Sequence, residues 1–230
     1  MDFFNKSEQS ILLNAENIIV GFSGGVDSTL VLAATNQFLE AHNKKNCLTA
    51  LHVNHQTQSD SSSWQIHCEK FCKEHNINFS CESVKIKESG QGYEAAARSA
   101  RLDIFNAFDE ATVIILGHHL DDQVETVFFR VLRGTGLKGL TGMQRHLKIK
   151  NKDFMRPLLH LTKEEIFKKT KEYKLSFIED QSNTDNAYSR NFLRNEIIPQ
   201  ISKRWPGAKK NTARMATVSY THLRAHETSK

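Results

Sequence analysis

Ser23-Gly24-Gly25-Val26-Asp27-Ser28 holds the residue types from which an anion cradle is built. Glycines permit left-handed or crowded backbone and let main-chain N–H groups approach a phosphate, and hydroxyls add donors. The hexapeptide follows the apolar run 18–22 and opens a helical pattern near Thr29, so a helix N-terminus adds positive potential. It lacks the lysine of G-x-x-x-x-G-K-S/T and is therefore no Walker A loop. An ordinary Gly-Gly turn before a helix is the alternative. A second cluster is His118, His119, Asp121, Asp122 and Glu125. Acidic residues at a helix start often only cap it, yet two carboxylates beside two imidazoles also suit Mg²⁺ and proton handling. Zinc fits less well, since neither thiolates nor H-E-x-x-H are present. Glu94, Arg98 and Arg101 fall at i, i+4 and i+7, on one helix face beside Ala97, Ile104, Phe105 and Phe108. They could bind phosphate, or form a solvent-exposed intrahelical ion pair.

These residues need elements to position them. Segments 17–22, 47–53, 78–84 and 112–116 read as strands, and 28–41, 60–75, 93–108 and 120–132 as helices. The alternation predicts an α/β fold with a doubly wound, mainly parallel sheet and helices on both faces. Ligands of such sheets lie beyond the carboxyl ends of the strands. The loop 23–28, His52 and His55, and Gly117-His118-His119 are therefore expected to open onto one crevice. The glycine-rich stretch 134–142 predicts a mobile loop. Thr162 and Glu165 make a capping box for a helix to about residue 174, and a last helix is expected over 190–201, limited by Pro199.

The 230 residues suffice for one large or two small domains, and 39% hydrophobic with 25% charged residues is a globular composition. No apolar run approaches the ~20 residues of a membrane helix, and the N-terminus lacks a signal-peptide layout, which predicts a cytoplasmic protein without membrane partners. Cys47, Cys68, Cys72 and Cys81 contain no C-x-x-C pair and read as reduced thiols. The net charge of +5 is uneven: residues 187–230 carry nine Lys and Arg against two Asp and Glu. That basic end suits a nucleic-acid surface or a solvated helix face.

The hexapeptide resembles the SGGxDS loop of the N-type ATP pyrophosphatases, which split ATP between the α- and β-phosphates. The blocks His52-Val53-Asn54-His55, Glu94 to Arg98, Gly117 to Thr126, Leu132 to Gly136, Arg156-Pro157-Leu158-Leu159, Glu179 to Asn183 and Arg190 to Arg194 together resemble the tRNA(Ile)-lysidine synthetase family. The similarity covers about residues 17–206. It implies an adenine nucleotide alpha hydrolase-like fold and a ligase joining L-lysine to the wobble cytidine of a CAU-anticodon isoleucine tRNA through an adenylated intermediate. The resemblance implies that Ser23, Gly24, Gly25, Val26, Asp27 and Ser28, with His52, Gly117 and His118, bind ATP. Asp27 and Asp121 would hold Mg²⁺, and Asp122 would orient the lysine amine or accept its proton. Arg98, Arg101, Arg190 and Arg194 would surround the adenylated intermediate. A tRNA cytidine thiolase, or an ATP-binding fragment without tRNA activity, is the alternative; a thiolase would want clustered cysteines. Residues 1–206 are then the catalytic domain, and family members usually continue into further tRNA-gripping domains. Residues 207–230 look atypical for the family, with no helical stripe from 218 onward.

Overall fold

The computed structural model describes residues 3–54, 61–84, 93–109, 111–179, 186 and 188–228. Of the predicted features, His55 and 180–183 lie outside these residues, as does the side chain of Glu94. The chain forms two compact units. One comprises 1–117, 146–157 and 166–179, the other 118–145, 158–165 and 180–230.

The first unit is built on β1 (Asn17–Gly21), β2 (Leu48–Asn54), β3 (Asn78–Ser83), β4 (Thr112–Ile115), β5 (His146–Ile149) and β6 (Lys152–Met155). They form one sheet in the order β3-β2-β1-β4-β6-β5, parallel throughout except for the β5–β6 hairpin. Burial explains the order. Strands β1 and β4 are apolar on both faces and lie inside the sheet, whereas β3 exposes Asn78, Glu82 and Ser83 at its edge. Ile19, Leu51, Phe105, Ile114 and Phe154 form one core cluster across four strands and a helix.

Helices α1 (Lys6–Asn14), α2 (Val26–Ala41), α3 (Ser61–Glu74) and α4 (Tyr93–Ala107) surround this sheet, with the later turns of α7 (Lys163–Glu172). Helix α1 is absent from the sequence-based expectation. Asn5 and Glu8 start it with a reciprocal capping box, Asn5 Oδ1 accepting the Glu8 amide at 2.9 Å and Glu8 Oε2 the Asn5 amide at 2.9 Å. The residues leading into it, Phe3 and Phe4, are buried, and the Phe4 ring packs tilted against Phe38 of α2 with centroids 5.4 Å apart. That cover explains why α2 is buried almost all round from Val26 to Asn36 instead of along one stripe.

The second unit holds α5 (Leu120–Leu132), the short α6 (Leu137–Leu140), α8 (Ser189–Phe192), α9 (Ile198–Arg204) and α10 (Ala208–Thr228). A π-turn over Leu193–Ile197 joins α8 to α9, and Pro199 lies in the first turn of α9, so the last predicted helix, expected to reach about residue 201, runs on to Arg204. Leu120, Val124, Leu193 and Ile198 are its core, with Ala213 of α10 against them. Residues 218–228, expected to be irregular, continue α10 as a helix. No glycine or proline interrupts 208–228, and helix formers there need no buried stripe to stay helical once the first turns are anchored.

Candidate active site

Strand β1 separates the strands added in one direction, β2 and β3, from those added in the other, β4 to β6. This is the topological switch point, and two predicted site segments leave it, 23–28 after β1 and Gly117 after β4. They touch. A Cβ on Gly117 would lie 3.0 Å from the carbonyl carbon and oxygen of Asp27 and 3.1 Å from the Ser28 nitrogen, so only glycine lets the two strand ends close.

Within the loop, Gly24 adopts φ +83°, a region that favours glycine. Gly25 is the N-cap of α2 and supplies no side-chain cap, and its own amide donates to Ser23 Oγ at 3.4 Å. The hydroxyls brace one another. Ser28 Oγ donates to the Gly25 carbonyl at 3.0 Å and accepts the Ser23 amide at 3.2 Å, and the Ser23 and Ser28 hydroxyls are 3.1 Å apart. Thr29 Oγ1 donates to the Gly24 carbonyl at 3.3 Å. Val26 is buried, and Asp27 occupies the first turn of α2, where a carboxylate complements the helix dipole.

His52 supports the loop from behind. Its Nδ1 donates to the Phe22 carbonyl at 3.0 Å, its ring faces Phe79, and burial lowers its pKa. Two groups missed by sequence reading also back the loop. The Ile178 amide donates to the Gly24 carbonyl at 2.8 Å, forming a parallel bridge between Gly25 and Ile178, and Cys68 Sγ lies 3.0 Å from where a Gly24 Cβ would stand.

Arg98 and Arg101 share the exposed face of α4. Arg156, which follows β6, is buried; burial, then the charge of Arg98, brings its pKa down to about 10. The Lys152 ammonium anchors the C-terminal end of α4 by donating to the carbonyls of Phe105 at 3.1 Å and Asn106 at 2.5 Å.

In the second unit, Asp122 completes a capping box at the start of α5, its Oδ2 accepting the His119 amide at 3.0 Å. Arg194 grips Glu125 bidentately, Nε to Oε1 at 2.6 Å and the terminal nitrogen to Oε2 at 2.9 Å, and reaches Asp122 Oδ1 at 3.4 Å. Burial raises the Glu125 pKa even against Arg194. Arg190 donates to Thr126 Oγ1 at 3.3 Å. Asp121 is held at both oxygens, by the Lys209 ammonium at 2.5 Å and the Lys163 amide at 2.8 Å. Burial pushes its pKa up, but these bonds and the Lys209 charge outweigh burial and leave it below the usual value. His118 is half-buried in the same unit, one residue before the N-cap. The stretch 134–142, expected to be a mobile loop, is instead tethered. Arg130 donates to the carbonyls of Gly139 and Gly142 at 3.1 and 3.0 Å, and Gln123 clamps the Met143 backbone through both side-chain atoms.

The PP-loop domain family matches residues 2–201. The chain belongs to that family. Similar curated proteins are the tRNA(Ile)-lysidine synthases of Histophilus somni strain 2336, 41% identical over 82% of this chain and 44% of the relative, and of Escherichia coli O157:H7, 36% identical over 90% and 48%. That of Legionella pneumophila strain Paris is 39% identical over 88% and 46%. This PP-loop chain thus spans about half the length of the curated relatives it matches. A solved U34-tRNA thiolase from Methanococcus maripaludis, carrying a 4Fe-4S cluster, superposes with TM-score 0.68 at 19% identity over 92% of this chain and 76% of its own, and shares the fold.

Cys72, one helical turn from Cys68 as its spacing implies, and Cys81 of β3 both act on the Cys68 thiol. Burial nevertheless pushes the thiols of Cys68 and Cys72 up to about 12, far from the thiolate needed to ligate metal or attack sulfur. Among the described residues no group of three or more His, Cys, Asp or Glu could hold a metal ion. No helix there is long and apolar enough to cross a membrane.

Proposed function

We propose that this chain carries the ATP-using catalytic module of a tRNA(Ile)-lysidine ligase. The observation that carries the reading is 36–41% identity to proteins named tRNA(Ile)-lysidine synthase, over a span that includes the loop 23–28. The 2-carbonyl oxygen of the wobble cytidine in a CAU-anticodon isoleucine tRNA attacks the α-phosphorus of ATP. The bond to the β-phosphate breaks and pyrophosphate leaves. The amine of L-lysine then attacks C2, loses a proton, and AMP departs with the oxygen.

The uncapped N-terminus of α2 and the Ser23 and Ser28 hydroxyls suit phosphate oxygens, and His52 and Gly117 hold the loop's shape for them. Mg²⁺, where it accompanies ATP, would meet Asp27 and offset the charge of the departing pyrophosphate. Asp121 fits a metal poorly because Lys209 and Lys163 already take both its oxygens. Asp122 is proposed to orient the lysine amine or take its proton. Arg98 and Arg101 on their exposed face remain proposed partners of the adenylated intermediate. For Arg190 and Arg194 that role requires release from Thr126 and from Glu125 with Asp122.

The buried, high-pKa thiols of Cys68 and Cys72 weigh against sulfur transfer. The deciding experiment follows ATP-dependent incorporation of labelled lysine into a CAU-anticodon tRNA. Incorporation with stoichiometric AMP and pyrophosphate is expected. ATP binding without lysine transfer would overturn the ligase assignment for this chain.

A further inference from the structure

The glycine-rich segment 134–142 takes no part in the reaction described above, yet it is closely bonded. Besides the Arg130 and Gln123 contacts, the Thr135 amide donates to the Arg130 carbonyl at 3.2 Å and the Thr141 hydroxyl to that of Lys138 at 2.9 Å. Fixing a turn costs conformational entropy, and the side chains this one presents return little of it. Leu132, which ends α5, is 69% exposed, and Leu137, which begins α6, is 68% exposed, with only 133–136 between them. Folding accounts for three of the four glycines in the segment. Gly134 takes φ +74° and Gly142 φ +58°, and a Cβ on Gly139 would collide with the Thr135 side chain. Gly136 differs. Its φ of −80° and ψ of −173° are extended backbone that any residue adopts, and no described atom lies within 4 Å of where its Cβ would stand. Gly25 of the phosphate loop shows the same two features, with φ −73° and ψ 162° and only an ordinary contact, Ser23 Oγ at 3.5 Å, at its Cβ position.

The charge around this turn has one sign. From Thr126 to Arg145 the chain carries no acidic residue, against Arg130, Arg133, Lys138 and Arg145. Arg130 is engaged by the Gly139 and Gly142 carbonyls, and Arg145 donates to His160 Nδ1 at 2.8 Å. Arg133 and Lys138 are exposed beside the two leucines, Arg133 held over the Phe129 ring at 5.2 Å. We infer that 132–138 is a docking platform for an unpaired RNA loop: Leu132 and Leu137 take base faces, Arg133 and Lys138 take phosphates, and Gly136 leaves room for the sugar-phosphate backbone to lie against the chain. Apolar surface beside cations is what splayed bases and their phosphates require, whereas a duplex presents phosphates without base faces. On the reading that the substrate is a tRNA, the occupant is its anticodon loop.

The inference rests on that reading, and the test separates the two. Binding of a stem-loop RNA carrying the CAU anticodon is titrated against the full chain at several ionic strengths. The same stem closed as a blunt duplex is the control, and the melting temperature reports folding. Gly136→Asn adds bulk without charge and supplies a side chain suited to the N-cap of α6, so its melting temperature should equal or exceed the parent's while stem-loop affinity falls. Leu132→Ser combined with Leu137→Ser should weaken stem-loop binding about fivefold or more, the worth of partly covering a leucine, with the melting temperature unchanged. Lys138→Gln should lower the salt slope by roughly 0.7, the share of one single-strand phosphate contact. In the parent, the stem-loop should slow amide exchange across 132–138. Parent-like binding in both Gly136→Asn and the leucine variant would overturn the platform, as would equal affinity for the duplex or no RNA binding by the parent. Self-association of the parent that the leucine variant abolishes, with RNA binding intact, would make this face a protein interface and overturn it too. Stem-loop binding that depends on these residues in a chain that transfers no lysine would keep the platform and remove the ligase reading. Lysine transfer by a parent whose variants bind RNA as it does would do the reverse.

Discussion

Asp122 stands where two demands meet, because it accepts the His119 amide through one oxygen and faces Arg194 with the other. Asp122→Asn keeps an acceptor for the cap while removing the charge. Adenylate formation, followed as isotope exchange between pyrophosphate and ATP with tRNA present, should therefore survive, while lysidine formation stops. If the carboxylate only capped α5, Asp122→Asn would keep near-parent stability and chemistry, and only Asp122→Ala would lose ~1 kcal/mol. Asp27→Asn should abolish pyrophosphate release with an unchanged melting temperature; turnover at the parent rate would remove the loop from the mechanism. Asp121 makes a prediction about acid. Its folded-state pKa lies below the ordinary 3.8, so its contribution to stability is complete above that value and is lost as pH falls through the folded value. Thermal melts from pH 6 to pH 2.5 should show a steeper acid loss in the parent than in Asp121→Asn. The types of these side chains, and their gathering at strand ends, were legible in the sequence. Their pairings were not. Arg194 finds Glu125 across 69 positions and Lys209 finds Asp121 across 88, and local spacing carries no information at that range.

Among the elements, the four buried or half-buried parallel strands were readable because their apolar runs are short and bounded by polar turns. The β5–β6 hairpin was hidden. Lys148, Lys150 and Lys152 break its apolar pattern, and Lys152 is nonetheless buried because it bonds the end of α4. Lys152→Met should consequently cost about 2 kcal/mol, since it removes charged hydrogen bonds from two helix-end carbonyls. The loss should appear as a lower melting temperature with fraying at the C-terminal turn of α4. Helix α1 escaped sequence reading for a different reason. It is a short amphipathic segment with only Leu12 and Glu8 buried, and its cap announces a helix too brief to show a period. The segment 176–178 carried no signal at all, because a single bridge needs one backbone N–H and no particular side chain.

At the level of the whole molecule, the excess of basic residues lies in 187–230. Arg190 and Arg194 already serve Thr126, Glu125 and Asp122, whereas Lys203 and Arg204 are exposed at the end of α9. Binding to tRNA by this chain should be weak and salt-dependent, with poor discrimination between isoleucine and methionine tRNAs that share the CAU anticodon. Replacing Lys203 and Arg204 by alanine should lower the salt slope by roughly 1.5 in titrations at several ionic strengths. Strong, salt-insensitive preference for the isoleucine tRNA would contradict this. The bridge from Ile178 to Gly25 also bears on how the molecule is made. Residues 23–28 leave the ribosome early, but the amide that bonds Gly24 belongs to a residue roughly 150 positions later. Closing so long a loop carries an entropic cost that only later contacts repay. The nucleotide site therefore matures last among the parts of its own sheet, and a nascent chain released before residue 178 would display the glycines and hydroxyls of the loop without its fixed shape.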